Sequence, residues 1–403
     1  MSSAALDDTA LLAARPTAEL GRGRAVAIGL AVAGIAGCAI GWTTNHQIFA
    51  QAYLIAFVFW TGITVGSLAI LMVQYLSGGL WGLLARRVLE ASARTWPLVV
   101  LLFLPIAFHL EVLYPWARPE AAADPVLVSK AAYLNRDFFF ARAALYFAIW
   151  GGLTTLLTRW SGEQDGQPTR LPGPKDGRMR MLSGPGLVLY MITVTFSAVD
   201  WVMSGNPHFS STIFGILTLG QQGLSTMAFT VLILSLLARA KPVSDVARAE
   251  TFSDLGNLML TFVMLWAYFN VSQLIIIYQG NLPDEIPWYL NRMYGAWGPI
   301  AILVLLGHFV VPFSLLLWRN LKRTPGRVMW LALFILVMRV IDTVWTIAPM
   351  HRPDGPTVSW LDFAAVFALG GIWLTFFFYN LGGRSLVPAH DPYFKEALAH
   401  VDH

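Results

Sequence analysis

The chain has 403 residues, 56% of them hydrophobic and only 12% charged, about half the charged share of a soluble globular domain. Its mean hydropathy of +0.60 excludes a water-soluble fold and places it among membrane proteins. The single cysteine, Cys38, excludes a disulfide framework, a cysteine-ligated iron–sulfur cluster and a zinc knuckle, and the net charge of +4 belongs to membrane-flanking loops rather than to nucleic-acid binding.

A spanning helix needs about 20 mostly apolar residues. Ten such stretches are predicted: 25–44, 51–76, 96–114, 137–158, 182–204, 210–238, 251–278, 295–318, 327–349 and 359–381. The fold class is therefore an all-α integral membrane protein with ten transmembrane helices. Breaker clusters separate the spans at Ser77-Gly78-Gly79, Gly205-Asn206-Pro207 and Arg352-Pro353-Asp354-Gly355-Pro356. Lys and Arg number 20 on the side that holds the termini and 5 on the other, with Arg142 and Arg339 inside spans. By the positive-inside rule both termini face the cytoplasm. Ile35-Ala36-Gly37-Cys38 resembles a lipoprotein cleavage box, but the apolar run continues past the cysteine and the 24-residue lead is too long for a signal peptide. Span 1 is expected to stay, with lipidation of Cys38 the alternative.

The middle of the chain repeats itself. Tyr133-Leu134-Asn135-Arg136 before span 4 recurs as Tyr289-Leu290-Asn291-Arg292 before span 8. Asp200 stands seven residues before Pro207 near the end of span 5, as Asp342 stands before Pro349 near the end of span 9. Spans 2–5 (within 45–204) and 6–9 (within 205–349) are therefore expected to form two four-helix bundles of like orientation. They are flanked by span 1 (25–44) and span 10 (within 350–381), with cytoplasmic segments at 1–24 and 382–403.

Ionisable groups inside a bilayer are costly and mark function by default. His109 and Glu111 fall in predicted span 3, Arg142 in span 4, Asp200 in span 5, His308 in span 8, Arg339 and Asp342 in span 9, and Asp362 in span 10. Arg339 and Asp342, three apart on one helix, can pair. Tyr190, Thr193, Ser197, Asp200 and Ser204 form a polar stripe on span 5, and Asp254, Asn257, Thr261, Tyr268 and Ser272 form one on span 7. Either stripe suits a proton relay or ordinary interhelical hydrogen bonding. His109, Glu111 and Arg142 are candidates for hydrogen-bonding a quinone, His109 because imidazole titrates near neutral pH. Facing histidine pairs for a transmembrane haem are missing, so neither haem nor any other metal is expected on this chain. The loop 279–289 combines acidic residues, prolines and aromatics, as an interfacial belt or a partner surface would.

Val199-Asp200-Trp201-Val202-Met203-Ser204, Asn206-Pro207-His208-Phe209-Ser210-Ser211-Thr212, Asn281-Leu282-Pro283-Asp284-Glu285 and His308-Phe309-Val310-Val311-Pro312-Phe313 resemble the membrane subunits of alternative complex III. Pro388-Ala389-His390-Asp391-Pro392 with Glu396 fits the same family. That family comprises bacterial quinol:cytochrome c or quinol:cupredoxin oxidoreductases whose large membrane subunits are of the polysulfide-reductase membrane-subunit type. Of the two large ten-helix paralogues in such a complex, the resemblance is to the shorter. It implies a place in the bacterial inner membrane beside the longer paralogue, an iron–sulfur protein, haem c proteins and small membrane polypeptides. It further implies a quinone-facing or proton-conducting role with menaquinone or ubiquinone, electrons being carried by the partners, and Asp200 as a proton-relay group. A secondary transporter using the same buried charges, or a purely structural anchor, are the competing readings.

Overall fold

A backbone that crosses lipid must satisfy its own hydrogen bonds, and helices do so within one segment. The computed structural model describes residues 17–78, 81–165, 174–353, 358–388, 390 and 391, with side chains from residue 19 and, after the break at 166–173, from residue 177. Among these residues no strand forms, and ten helical spans are long and apolar enough to cross a membrane. We label them α1 (Glu19–Thr44), α2 (His46–Ser77), α3 (Trp81–Phe108), α4 (Arg136–Asp165), α5 (Gly177–Gly205), α6 (Phe214–Leu237), α7 (Ala249–Gly280), α8 (Gly295–Leu316), α9 (Pro325–His351) and α10 (Trp360–Gly382). Residues 1–16, Gly79, Arg170, Asp354 to Pro356, Ala389, and the tail from Pro392 with Lys395 and Glu396 lie outside the described residues, as does the side chain of Lys175.

The expected grouping is present. Helices α2 to α5 pack on one another, as do α6 to α9. The two groups meet where α2 touches α6 and α9 and where α6 touches α5, contacts that a two-fold relation between the groups interchanges. Helix α2 lies deepest: 89% of its most apolar window is buried, against 22% for α7 and 28% for α8. Helix α2 is thus the axis of the molecule, whereas α7 and α8 turn most of their apolar surface outward.

The flanking helices α1 and α10 pair with each other and lean on α2. Their approach depends on missing side chains. A Cβ on Gly34 would collide with the backbone of Ala368, and one on Gly371 with the backbone of Ala31. Trp60 and Trp373 pin α10 to α2: the Trp60 indole donates to the Val366 carbonyl (3.1 Å) and the Trp373 indole to the Thr64 hydroxyl (2.8 Å).

Two helices are broken in ways that matter below. Helix α3 runs to Ala93, turns at Arg94 and Thr95, and resumes at Trp96 with Pro97 in its first turn, where a missing N–H costs nothing. The buried Thr95 hydroxyl meets that of Thr64 at 2.8 Å. Span 3, expected at 96–114, therefore begins 15 residues earlier and ends at Phe108, which corrects two readings. Arg86, Arg87 and Arg94, assigned to a loop, are helical or at the turn. Glu111, assigned to the span, lies beyond it in a short segment, Leu110–Leu113. The apolar criterion missed the first half of α3 because Arg86, Arg87 and Glu90 interrupt it. In α8, the turn Leu305–Val310 is a π-helix. Pro312 follows it, and its ring cannot accept a normal turn against the carbonyl four residues back, that of His308; the wider turn relieves the clash.

Candidate functional site: two buried Asp–Arg centres

Helix α5 carries Asp200 near its end, with 1% of its surface exposed. On α4, Arg142 and Tyr146 are four apart and so share the face turned to it. The Arg142 guanidinium donates from Nε to Asp200 Oδ2 at 2.8 Å and from Nη2 to Oδ1 at 2.7 Å, a bidentate pair. The Tyr146 hydroxyl donates to Oδ2 at 2.7 Å. Arg142 Nη1 donates to the Tyr133 carbonyl at 3.0 Å, and its plane stacks on the Tyr133 ring at 3.8 Å. Both oxygens of Asp200 are thus occupied, and its guanidinium partner is held by aromatic faces and a carbonyl. Sequence reading placed Arg142 with His109 and Glu111; the structure instead gives it to Asp200. The i,i+4 spacing of Arg142 and Tyr146 was the available signal for Tyr146.

The second centre, on α9, is built differently. Arg339 pairs with Asp342 Oδ2 within the same helix. The Trp266 indole of α7 donates to that oxygen at 3.2 Å, and the Gln221 amide of α6 approaches it at 3.4 Å. Arg339 also donates to Ser225 (3.2 Å) and Thr343 (3.3 Å). Among the described residues, Asp342 Oδ1 has no partner, and neither ring nitrogen of His308 has one. His308 is fully buried in the π turn, its ring 4.3 Å from that of Trp266. Thirteen buried polar atoms among the described residues lack a partner, and Trp266 contacts the two groups, Asp342 and His308, that carry three of them. Trp266, Gln221 and Ser225 escaped the sequence reading, because neutral side chains at apolar depth carry no mark of the charge they serve.

The repeated tetrapeptide has likewise diverged. Arg136 is half exposed and pairs with Glu111. Its counterpart Arg292 is 1% exposed, stacks on Trp288 at 3.4 Å, and donates to the carbonyls of Trp288 (2.8 Å) and Thr346 (2.6 Å). Burial pushes its pKa down to about 9, an effect the nearby Tyr289 opposes.

Other expected groups are not brought together. His109 sits at the break after Phe108 with Nδ1 on the Pro105 carbonyl (2.5 Å) and its ring beside Trp42 and His46. Glu111 is taken by Arg136 and Arg142 by Asp200. The proposed quinone trio is therefore engaged in three separate contacts.

On α5, the Thr193 and Ser197 hydroxyls donate to carbonyls of their own helix, and Ser204 donates to the Asp200 carbonyl at 2.6 Å. Tyr190 donates to Gln222 at 2.9 Å and Trp150 to Thr193 at 2.9 Å. The stripe is thus a set of separate bonds without side chain to side chain continuity along the helix. The α7 stripe is turned outward: Asp254, Asn257, Thr261 and Tyr268 are exposed, Ser272 half-buried, and the buried face is Leu255, Met259, Val263 and Trp266. Lys322 reaches Asn257 at 2.5 Å. Asp362 caps the start of α10 with Ser359 and receives both Nη groups of Arg352, at 2.8 and 3.0 Å; Arg352 Nε donates to Gln51 at 2.8 Å. That arrangement ties α9, α10 and α2 together.

A third polar centre was missed entirely. At the opposite end of the helices, Arg87 pairs with Glu90 (2.9 Å) and Asp165, Arg86 with Asp391 (2.8 Å), and Arg384 approaches Glu90 at 3.5 Å. Three guanidinium groups balance three carboxylates there. Among the described residues no three His, Cys, Asp or Glu side chains converge as metal ligands. No protein-family model matches the chain, and no curated protein does.

Proposed function

We propose that this chain is a proton-conducting membrane component of a quinol:electron-acceptor oxidoreductase of the alternative complex III type. It would lie in the bacterial inner membrane with both termini cytoplasmic. The observation that carries the proton role is the pair of buried Asp–Arg centres at corresponding places in the two four-helix groups. A carboxylate at that depth is a poor choice for packing alone. The family assignment comes from the Asp200-Trp201 stretch and its companions, and the positive-inside count supports the orientation.

The two centres suit different tasks. Asp200 has three donors on two oxygens and serves as a fixed charge. Asp342 keeps one oxygen without a partner among the described residues, with Trp266 between it and His308, so a proton could load on that oxygen. Arg339 holds the charge of the cluster when the carboxylate is ionised. Quinol oxidation and electron transfer fall to the partner proteins, because the candidate quinone residues here do not converge.

The test is a tagged preparation from native membranes. The chain should copurify with haem c absorbance and quinol oxidation activity. In proteoliposomes, Asp342→Asn should leave electron transfer largely intact while reducing the protons moved per electron. A chain that purifies without haem c and moves a solute by itself would establish a transporter instead. Unchanged proton coupling in Asp342→Asn, Asp200→Asn and His308→Leu alike would leave the anchor reading.

A further inference from the structure

Between α3, α4 and the end of α10 lies a cleft of about 730 Å³. Arg94, Arg159 and Arg384 line it, against a single carboxylate, Glu163. Glu163 is engaged by Arg159 at 3.3 Å. Arg384 reaches Glu90 of the third centre at 3.5 Å, and the side chain of Arg94, set at the turn of α3 and near the same Glu90, makes no hydrogen bond or ion pair among the described residues. Arg94 and Arg384 are close enough to repel each other. The buried Thr154 and Thr158 also line the cleft, and their hydroxyls are hydrogen-bonded to nothing in the described chain. Cationic donors in excess of carboxylates, and two hydroxyls, therefore converge on one space.

A second space adjoins it. Trp96 forms a wall of this cleft and also of a second cavity, of about 400 Å³, between α3 and α4. The second cavity is apolar, lined by Phe103, Phe140, Phe147, Ala143 and the pair Gly151 and Gly152. A Cβ on Gly152 would meet nothing within 4 Å. A cationic cleft adjoining an apolar groove between two spanning helices has the polarity profile of one lipid molecule. Basic pockets between spanning helices recognise anionic headgroups, and guanidinium groups match phosphate oxygens two at a time.

We propose that this site holds an anionic glycerophospholipid, with its phosphate at Arg94 and Arg384 and hydrogen-bonded by Thr154 and Thr158, and one acyl chain laid past Trp96 into the α3–α4 groove. A neutral quinone would leave a lining of three guanidinium groups against one carboxylate, so the charge of the cleft favours the phosphate.

The full chain, reconstituted in nanodiscs of dioleoylphosphatidylcholine with a minor fraction of dioleoylphosphatidylglycerol, is released into the gas phase and its retained lipids are weighed by native mass spectrometry. One phosphatidylglycerol should be retained in preference to phosphatidylcholine by about tenfold or more, and Arg94→Gln should reduce that preference about fivefold. Gly152→Phe, which fills the groove without touching a charge, should lower retention of both lipids. Excess inorganic phosphate should fail to displace the lipid. Equal retention of the two lipids, an unchanged preference in Arg94→Gln, displacement by inorganic phosphate, or retention of a quinone in place of phospholipid would each overturn the proposal. Should Gly152→Phe not fold, as judged by its thermal transition, Arg94→Gln decides the matter alone.

Discussion

Replacing Asp200 by Asn removes a charge without opening a cavity, so its effect isolates the electrostatics of the first centre. In the native protein three donors, at 2.8, 2.7 and 2.7 Å, meet two carboxylate oxygens. An asparagine presents one oxygen and one NH2, and the NH2 must face a donor whichever way it turns. Arg142, 7% exposed, is then a buried cation without its counter-ion. Breaking a buried pair from one side costs about 3 to 5 kcal/mol. Arg142 retains the Tyr133 carbonyl and the aromatic stack, and cation–π contact offsets about 1 kcal/mol or more, so the low end, about 3 kcal/mol, is expected. Arg142→Gln strands the carboxylate with Tyr146 alone and should cost about 4 kcal/mol. The double variant leaves two neutral amides able to bond each other and should lose less than the sum of the singles, a coupling above about 2 kcal/mol. Unfolding of the purified full chain in mixed micelles as dodecyl sulfate is titrated, followed by the fluorescence of its 16 tryptophans, measures all four proteins. Additive losses, or single variants that each cost under about 1 kcal/mol, would refute the reasoning.

Glu90→Gln leaves the third centre with an uncompensated buried cation and should destabilise the chain by about 3 kcal/mol in the same titration. Arg159→Gln, on an exposed pair with 75% and 42% of its two side chains accessible, should change stability by well under about 1 kcal/mol. Gly34→Leu should lower the thermal midpoint in detergent markedly, since the obstacle is the Ala368 backbone rather than a movable side chain, and overpacking costs about 1 to 3 kcal/mol or more. Asp124, in the loop after α3, is partly desolvated, but the Val126 amide and His208 outweigh this and hold its carboxyl below the usual carboxylate range. A depressed acid contributes stability above its unfolded pKa and loses it as pH falls through the folded one. Proteolytic nicking of residues 115–135 should therefore stay low at neutral pH and rise only in strong acid, whereas Asp124→Asn should be insensitive to acid there.

The ten spans were legible because hydropathy over 20 residues tolerates local errors, and their grouping was legible from Asp200 and Asp342. What failed was pairing. Sequence separation says nothing about which cation crosses to which carboxylate: Asp200 takes Arg142 from α4, while Asp342 takes Arg339 from its own helix. Charges that cancel in space break the apolar pattern in sequence, which hid the first half of α3 and with it Arg87, Glu90 and Asp165. The α7 stripe obeyed helical spacing yet faces outward, since periodicity defines a face without saying what it meets. His308 was visible as an ionisable group at depth, but its place in a π turn before Pro312 and its lack of a partner among the described residues are features no spacing rule reveals.

The Gly34–Ala368 and Gly371–Ala31 seams fasten an early span, α1, to a late one, α10. At ordinary elongation rates α1 precedes α10 from the ribosome by about 15 to 60 s, during which its small-residue face can meet only lipid or α2. The nascent bundle is therefore an open clasp, and arrival of α10 closes it by seating Trp373 on Thr64. Loss of α10 would leave α1 unfastened, coupling the folding of an early span to the synthesis of a late one.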